Sequence, residues 1–246
     1  MSQVKIQGNA SGTGIFTIAS PNSNSNQTLT LPDETGTFLT SGGALSGTTG
    51  SFSGNLSFNS GYGSAAVAYG CRAWVNFNGT ANSNLAGTYA RSGTTVTVTA
   101  TNHGQAVGNV VNLDFTTGTA ADGIFTVVTV PDANTFTVTH GTSGTTSGNV
   151  SIIRSTIRAS GGVASVTDAG AGFYYINFSV PMPDANYSVV GAASGDNSGS
   201  SNPPTLSPQT NASAAYLAQT TGAVPIFVSQ SKTALDVQGV NVAVFR

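Results

Sequence analysis

Residues able to do acid–base or nucleophilic chemistry are scarce in this chain. Its 246 residues include two histidines, nine carboxylates, seven cations and a single cysteine. His103 with His140, or Asp114 with Asp122, are the pairs from which an acid–base couple could be assembled. Neither pair comes with a nucleophile and an orienting group, which hydrolytic or transfer chemistry needs. His103-Gly104 and Asp122-Gly123 instead have the form of turns, where a polar side chain bonds its own backbone. The paired carboxylates of glycoside cleavage are not legible either. No Cys/His spacing suits zinc and no acidic loop suits calcium. Cys71 has no cysteine to pair with inside the chain. No catalytic, cofactor-binding or metal-binding residue is therefore expected, and the chemistry on offer is non-covalent contact.

Contact has its own candidates. Trp74, Tyr174, Tyr175 and Tyr216 carry ring faces that could stack on a sugar, although aromatics in strands more often fill a core or a subunit interface. Asn197 and Asn202 stand in a long polar loop, Gly191 to Ser207, and Asn211 in the polar stretch Gln209 to Asn211. Binding concentrates on loops over rigid scaffolds. A variable surface loop without a ligand reads the same way.

The elements that must position these residues are short and alternating. Gly14 to Ala19, Gln27 to Leu31 and Gly36 to Thr40 read as strands, with Leu29 and Leu31 on one face. Ser41 to Gly54 has the composition of a linker or extended shaft. In Ala73-Trp74-Val75-Asn76-Phe77 the residues Ala73, Val75 and Phe77 face one way, with Trp74 and Asn76 opposite. Thr94 to Thr99, Val110 to Phe115, Ile124 to Val128, Thr135 to Thr139 and Val150 to Ile153 follow, with turns at His103-Gly104, Gly118, Asp122-Gly123 and Pro131 to Asn134. Strands at such spacing suggest a small barrel or sandwich. Further strands are expected at Ser155 to Ser160, Val163 to Val166, Phe173 to Phe178, Tyr187 to Val190, Ala214 to Ala218, Val224 to Val228 and Val237 to Phe245. Pro131-Asp132-Ala133-Asn134 and Pro183-Asp184-Ala185-Asn186 echo one another, through convergent turn chemistry or through duplication.

Composition narrows the function class. Charged residues make up 7% of the chain, where an ordinary soluble domain carries roughly 25%. The 31 glycines argue for turns over long helices. Net charge is −2 with scattered cations, which disfavours nucleic acid as a partner. No apolar run is long enough to span a membrane as a helix. Met1 to Lys5 does not open a signal peptide, so a cytoplasmically made, unprocessed chain is expected. Solubility must come from hydroxyls and amides, and unpaired strand edges carry an association risk.

Two stretches go beyond composition. The first is Gly14-Ile15-Phe16-Thr17-Ile18 with Leu29-Thr30-Leu31-Pro32-Asp33-Glu34-Thr35-Gly36-Thr37-Phe38. It resembles a segment found in many bacteriophage tail fibre proteins. The second combines Cys71-Arg72-Ala73-Trp74-Val75-Asn76-Phe77-Asn78-Gly79-Thr80 with Ile157-Arg158-Ala159-Ser160-Gly161-Gly162-Val163 and Phe178 to Tyr187. It resembles a C-terminal domain of phage fibres and appendages. In that family the tryptophan motif runs almost directly into the Ile-Arg-Ala-Ser motif, whereas here residues 81–153 intervene.

The resemblance implies an all-β homotrimer. Residues 1–54 would be an extended β shaft or attachment segment that meets other virion proteins. Residues 55–80 plus 154–246 would form a β-sandwich-like head, and 81–153 a small inserted β-barrel or sandwich. Insertions survive at loop tips because lengthening a loop costs little. The implied function is host recognition and adsorption, by non-catalytic contact with a host surface glycan or protein. A purely structural capsid fibre, decoration protein or baseplate component is the alternative. Either would reside in the virion.

Overall fold

In the computed structural model residues 70–195, 202–208 and 216–246 are described, together with Ser11, Asn24 and two short strands at 57–58 and 66–67. The chain divides into two units, Met1–Ser53 and Gly54–Arg246. Apart from Ser11 and Asn24, all described residues belong to the second. The strands expected within 14–40 and the linker at 41–54 lie outside the described residues, as does 209–215; of the strand expected at Ala214 to Ala218, the described residues Tyr216 to Ala218 form no strand.

Every regular element among the described residues is a β-strand. In chain order these are β1 (Ser57–Phe58), β2 (Ala66–Val67), β3 (Cys71–Asn82), β4 (Leu85–Thr99), β5 (Val110–Asp114), β6 (Gly123–Asp132), β7 (Thr135–Ile153) and β8 (Ser155–Gly161). They continue as β9 (Val163–Asp168), β10 (Phe173–Phe178), β11 (Ser188–Ser194), β12 (Thr205–Pro208), β13 (Ala223–Gln230), β14 (Thr233–Ala234) and β15 (Gly239–Phe245). All pairings between these strands are antiparallel, and β1 pairs β2 alone.

Two sheets share one core. The first has the order β11-β15-β3-β8, the second β12-β13-β10-β9 with β14 hairpinned onto β13. Period-2 alternation sends Ala73, Val75 and Phe77 of β3 and Val240, Val242 and Val244 of β15 inward. They meet Tyr174, Ile176 and Phe178 of β10 and Val224, Ile226 and Val228 of β13. Phe77 and Tyr174 touch edge to face with centroids 5.0 Å apart, a favoured aromatic geometry. The β8–β9 connection turns at Gly162 with φ +69°. A Cβ there would lie 2.5 Å from the Arg72 carbonyl oxygen, so glycine is required twice over.

The third sheet has its own core. β7 pairs with β4 along nearly its whole length. On its other flank it pairs with β6 near its start and with β5 near its end. Since β5 also pairs β6, hydrogen bonding runs around a ring of three strands. Tyr89, Val96, Val98, Val111, Leu113, Phe136 and Ile152 fill the interior. Three sequence expectations change here. The strand expected at Thr94 to Thr99 begins at Leu85, and Thr135 to Thr139 and Val150 to Ile153 are the two ends of β7. Apart from His140 and Asn149 the stretch between those ends is Gly, Ser and Thr without apolar alternation, so its backbone ladder to β4 is what marks it as a strand. Pro131 and Asp132 belong to β6, which leaves Ala133-Asn134 as the turn.

The two cores meet through a polar seam. Ser165, Thr167 and Asn177 point away from the first core and are buried. Residues 105–112 engage them. The Asn177 amide behaves as a peptide group would in a neighbouring strand. Its Oδ1 accepts from the Val110 N–H at 2.7 Å, and its Nδ2 donates to the Val110 carbonyl at 2.9 Å. The Ser165 and Thr167 hydroxyls lie 2.9 and 3.0 Å from the same Nδ2. Asn109 donates to the carbonyls of Phe178 and Gly222, both at 3.0 Å. Gly108 and Gly222 meet backbone to backbone, and a Cβ on Gly222 would lie 2.3 Å from the Gly108 carbonyl. At the opposite margin Asn82 pairs with Ser155, and the Ser83 N–H donates to the Arg154 carbonyl at 2.8 Å.

Candidate functional site

Three of the four groups that could have formed an acid–base couple, His103, His140 and Asp122, are engaged locally. His103 is buried edge-on to Phe136 with centroids 5.0 Å apart, and its Nδ1 accepts from the Gln105 N–H at 2.9 Å. His140 is buried against Phe125, within hydrogen-bonding distance of the Ala121 and Thr142 N–H groups. Asp122 caps the backbone, accepting from the Phe115 N–H at 2.7 Å. Among the described residues no three His, Cys, Asp or Glu gather as a metal site. No described helix is long and apolar enough to cross a membrane.

The aromatic contact candidates separate sharply. Trp74 is 45% exposed and Tyr216 70% exposed. Tyr174 is a correction to the sequence reading, since it is wholly buried and unavailable for contact. It falls on the inward phase of β10, in register with Ile176 and Phe178. Its hydroxyl donates to Asp236 Oδ1 at 2.6 Å. Desolvation first, and then the neighbouring Asp236 carboxylate, hold that phenol well above its ordinary range. Tyr175 takes the outward phase but is half-buried, its ring 5.1 Å from Phe173, and burial raises its phenol as well. Asn202 is exposed, donating to the Ser231 hydroxyl at 3.0 Å. Asn197 and Asn211 lie outside the described residues.

The outward face of the first sheet gathers what the scattered candidates do not. Val190, Ala243, Trp74 and Gly161 stand side by side across its four strands. A Cβ on Gly161 would come within 2.5 Å of Trp74 Nε1, so the indole lies against a bare glycine. In the next row Asn76 Nδ2 donates to Asn241 Oδ1. Phe245 and Ser188 belong to the same sheet and line a shallow cleft of about 390 Å³ with Asn186 and Arg246. Arg246 forms an ion pair with Asp184 at its edge. Sequence reading found Trp74 and its orientation. It missed Asn241 and Phe245, although the alternation of Val240 to Phe245 sets both on the phase opposite the buried valines.

This geometry permits recognition through an exposed ring face and neutral amides, and it brings no reacting groups together among the described residues. Comparison with protein-family models, with curated proteins and with solved structures finds no match to this chain.

Proposed function

We propose that the chain is a structural component of a bacteriophage virion, a trimeric tail fibre that recognises and adsorbs to the host cell without catalysis. On this reading residues 1–54 attach it to other virion proteins. The two sheets with a common core are a β-sandwich-like head, and 81–153 is a small barrel-like insertion. One observation carries the reading. The tryptophan motif and the Ile-Arg-Ala-Ser motif are separated in sequence by residues 81–153, yet they pair as neighbouring strands, Trp74 opposite Gly161 and Asn76 opposite Ala159. An intact head interrupted by an insertion accounts for that pairing. Avidity supplies binding strength, because three weak sites held rigidly gain about 10²–10⁴ over one.

Purified full-length protein should bind susceptible cells and block infection, and antibody against it should label the particle. Light scattering should give about three times the 24.5 kDa chain mass. A particle-bound protein that neither binds cells nor blocks infection would instead be a capsid fibre, decoration or baseplate component. A stable monomer absent from particles would end the proposal.

A further inference from the structure

We infer that the outward face of the β11-β15-β3-β8 sheet is a binding site for an uncharged saccharide, with Trp74 as its stacking platform. This rests on the adsorption reading and adds the ligand class and the residues. A pyranose presents a flat patch of C–H groups ringed by hydroxyls. It needs an exposed ring face with hydrogen-bonding groups beside it, and Trp74 with the Asn76–Asn241 pair supplies both. Ala159, Gly161 and Ala243 are small neighbours, and the indole lies over Gly161 with 45% of the residue exposed. Gly161 lets the ring settle on backbone, so little ordering remains to be done on binding.

The amides distinguish a sugar from a protein neighbour. Once Asn76 Nδ2 has donated to Asn241 Oδ1, the Asn241 Nδ2 and the Asn76 Oδ1 make no other hydrogen bond among the described residues. A dry subunit contact would strand these groups at a cost for each, whereas hydroxyls satisfy them. No carboxylate stands among the residues paired across this face. The cleft lined by Phe245 and Ser188 belongs to the same sheet.

Trp74 is the sole tryptophan of the chain, so its fluorescence reports on this site alone. Full-length protein is screened on an array of neutral oligosaccharides that includes maltotriose and chitotriose, and binders are titrated by emission and by calorimetry. At least one neutral glycan should bind and shift the emission saturably. Trp74→Ala and the exposed Asn241→Ala should each raise Kd about tenfold or more, with circular dichroism and oligomer mass unchanged. Three results would overturn the inference: no neutral glycan retained, binding by Trp74→Ala within twofold of the parent, or dissociation of the oligomer by Trp74→Ala, which marks a subunit contact. Cell adsorption separates the two readings. If Trp74→Ala still adsorbs like the parent, only the saccharide site fails; if the parent does not adsorb, the fibre reading fails.

Discussion

Asn177→Ala tests whether the polar seam holds the two cores together. The Asn177 Nδ2 has two hydrogens for three acceptors, Val110 O, Ser165 Oγ and Thr167 Oγ1. With the Oδ1 bond to Val110 N–H, the side chain is worth three full hydrogen bonds at most. Each contributes about 1 kcal/mol net. Thr167 keeps its own bond to the Val110 carbonyl at 2.5 Å, and Ser165 keeps Gln105. The Val110 N–H is left buried without Asn177, which adds about 1–3 kcal/mol. The expected loss is about 4 kcal/mol, nearly three decades in the unfolding constant. Urea unfolding followed by circular dichroism and by Trp74 emission measures it, the second probe reporting only on the β11-β15-β3-β8 sheet. Asn177→Leu should be nearly as damaging, since volume is kept and the N–H still lacks its partner. Asn177→Asp buries a carboxylate whose pKa is raised in the folded state, so that variant should regain stability as pH falls. A midpoint change under about 1 kcal/mol for both Ala and Leu would refute the argument.

Gly222→Ala should destabilise by about 2 kcal/mol through overpacking against Gly108, seen as a lower Tm. Gly162→Ala should cost at least as much, since strain at positive φ adds to the clash with the Arg72 carbonyl. Tyr174→Phe removes the hydroxyl from Asp236 and should cost about 1–2 kcal/mol in urea unfolding. The Tyr174 and Tyr187 phenols are both raised above their ordinary range, chiefly by desolvation. Their contribution is complete below the unfolded value of about 10 and is lost as pH rises above it. An alkaline titration at 295 nm should therefore show part of the phenolate appearing only as the chain unfolds.

Much of this fold was legible wherever a strand has one wet face and one dry face. β3 was read with the right phase because Ala73, Val75 and Phe77 alternate with Trp74 and Asn76, while β5 and β10 were placed as strands to within a residue. The middle of β7 was not legible, because Gly141 to Asn149 offers no apolar period and is held by its ladder to β4 and by polar contacts from Arg91 and Thr117. Gly148 even has a specific duty there, since a Cβ would strike the Thr117 carbonyl at 2.4 Å. The seam was hidden for the opposite reason. Asn177 sits on the polar phase of β10, which in isolation means solvent, and only tertiary packing converts that phase into buried surface. The aromatic candidates failed where identity was used without phase: Tyr174 and Tyr175 are adjacent, yet one is core and the other half-covered. The Pro-Asp-Ala-Asn echo has a local cause, as Asp132 and Asp184 each accept from the backbone of the asparagine two residues on, at 2.7 and 2.8 Å.

The pairing of Asn82 with Ser155 gives the intervening segment the geometry of an exchangeable cassette. Its two ends leave the host sheet on adjacent strands, so a tight turn could splice them and leave β3 and β8 in register. Excision would uncover the Ser165, Thr167 and Asn177 groups, whose hydroxyls and amide water can satisfy. A foreign domain whose termini lie a strand-spacing apart, about 5 Å, should graft at the same junction, which makes it a natural place to append a reporter or a new specificity.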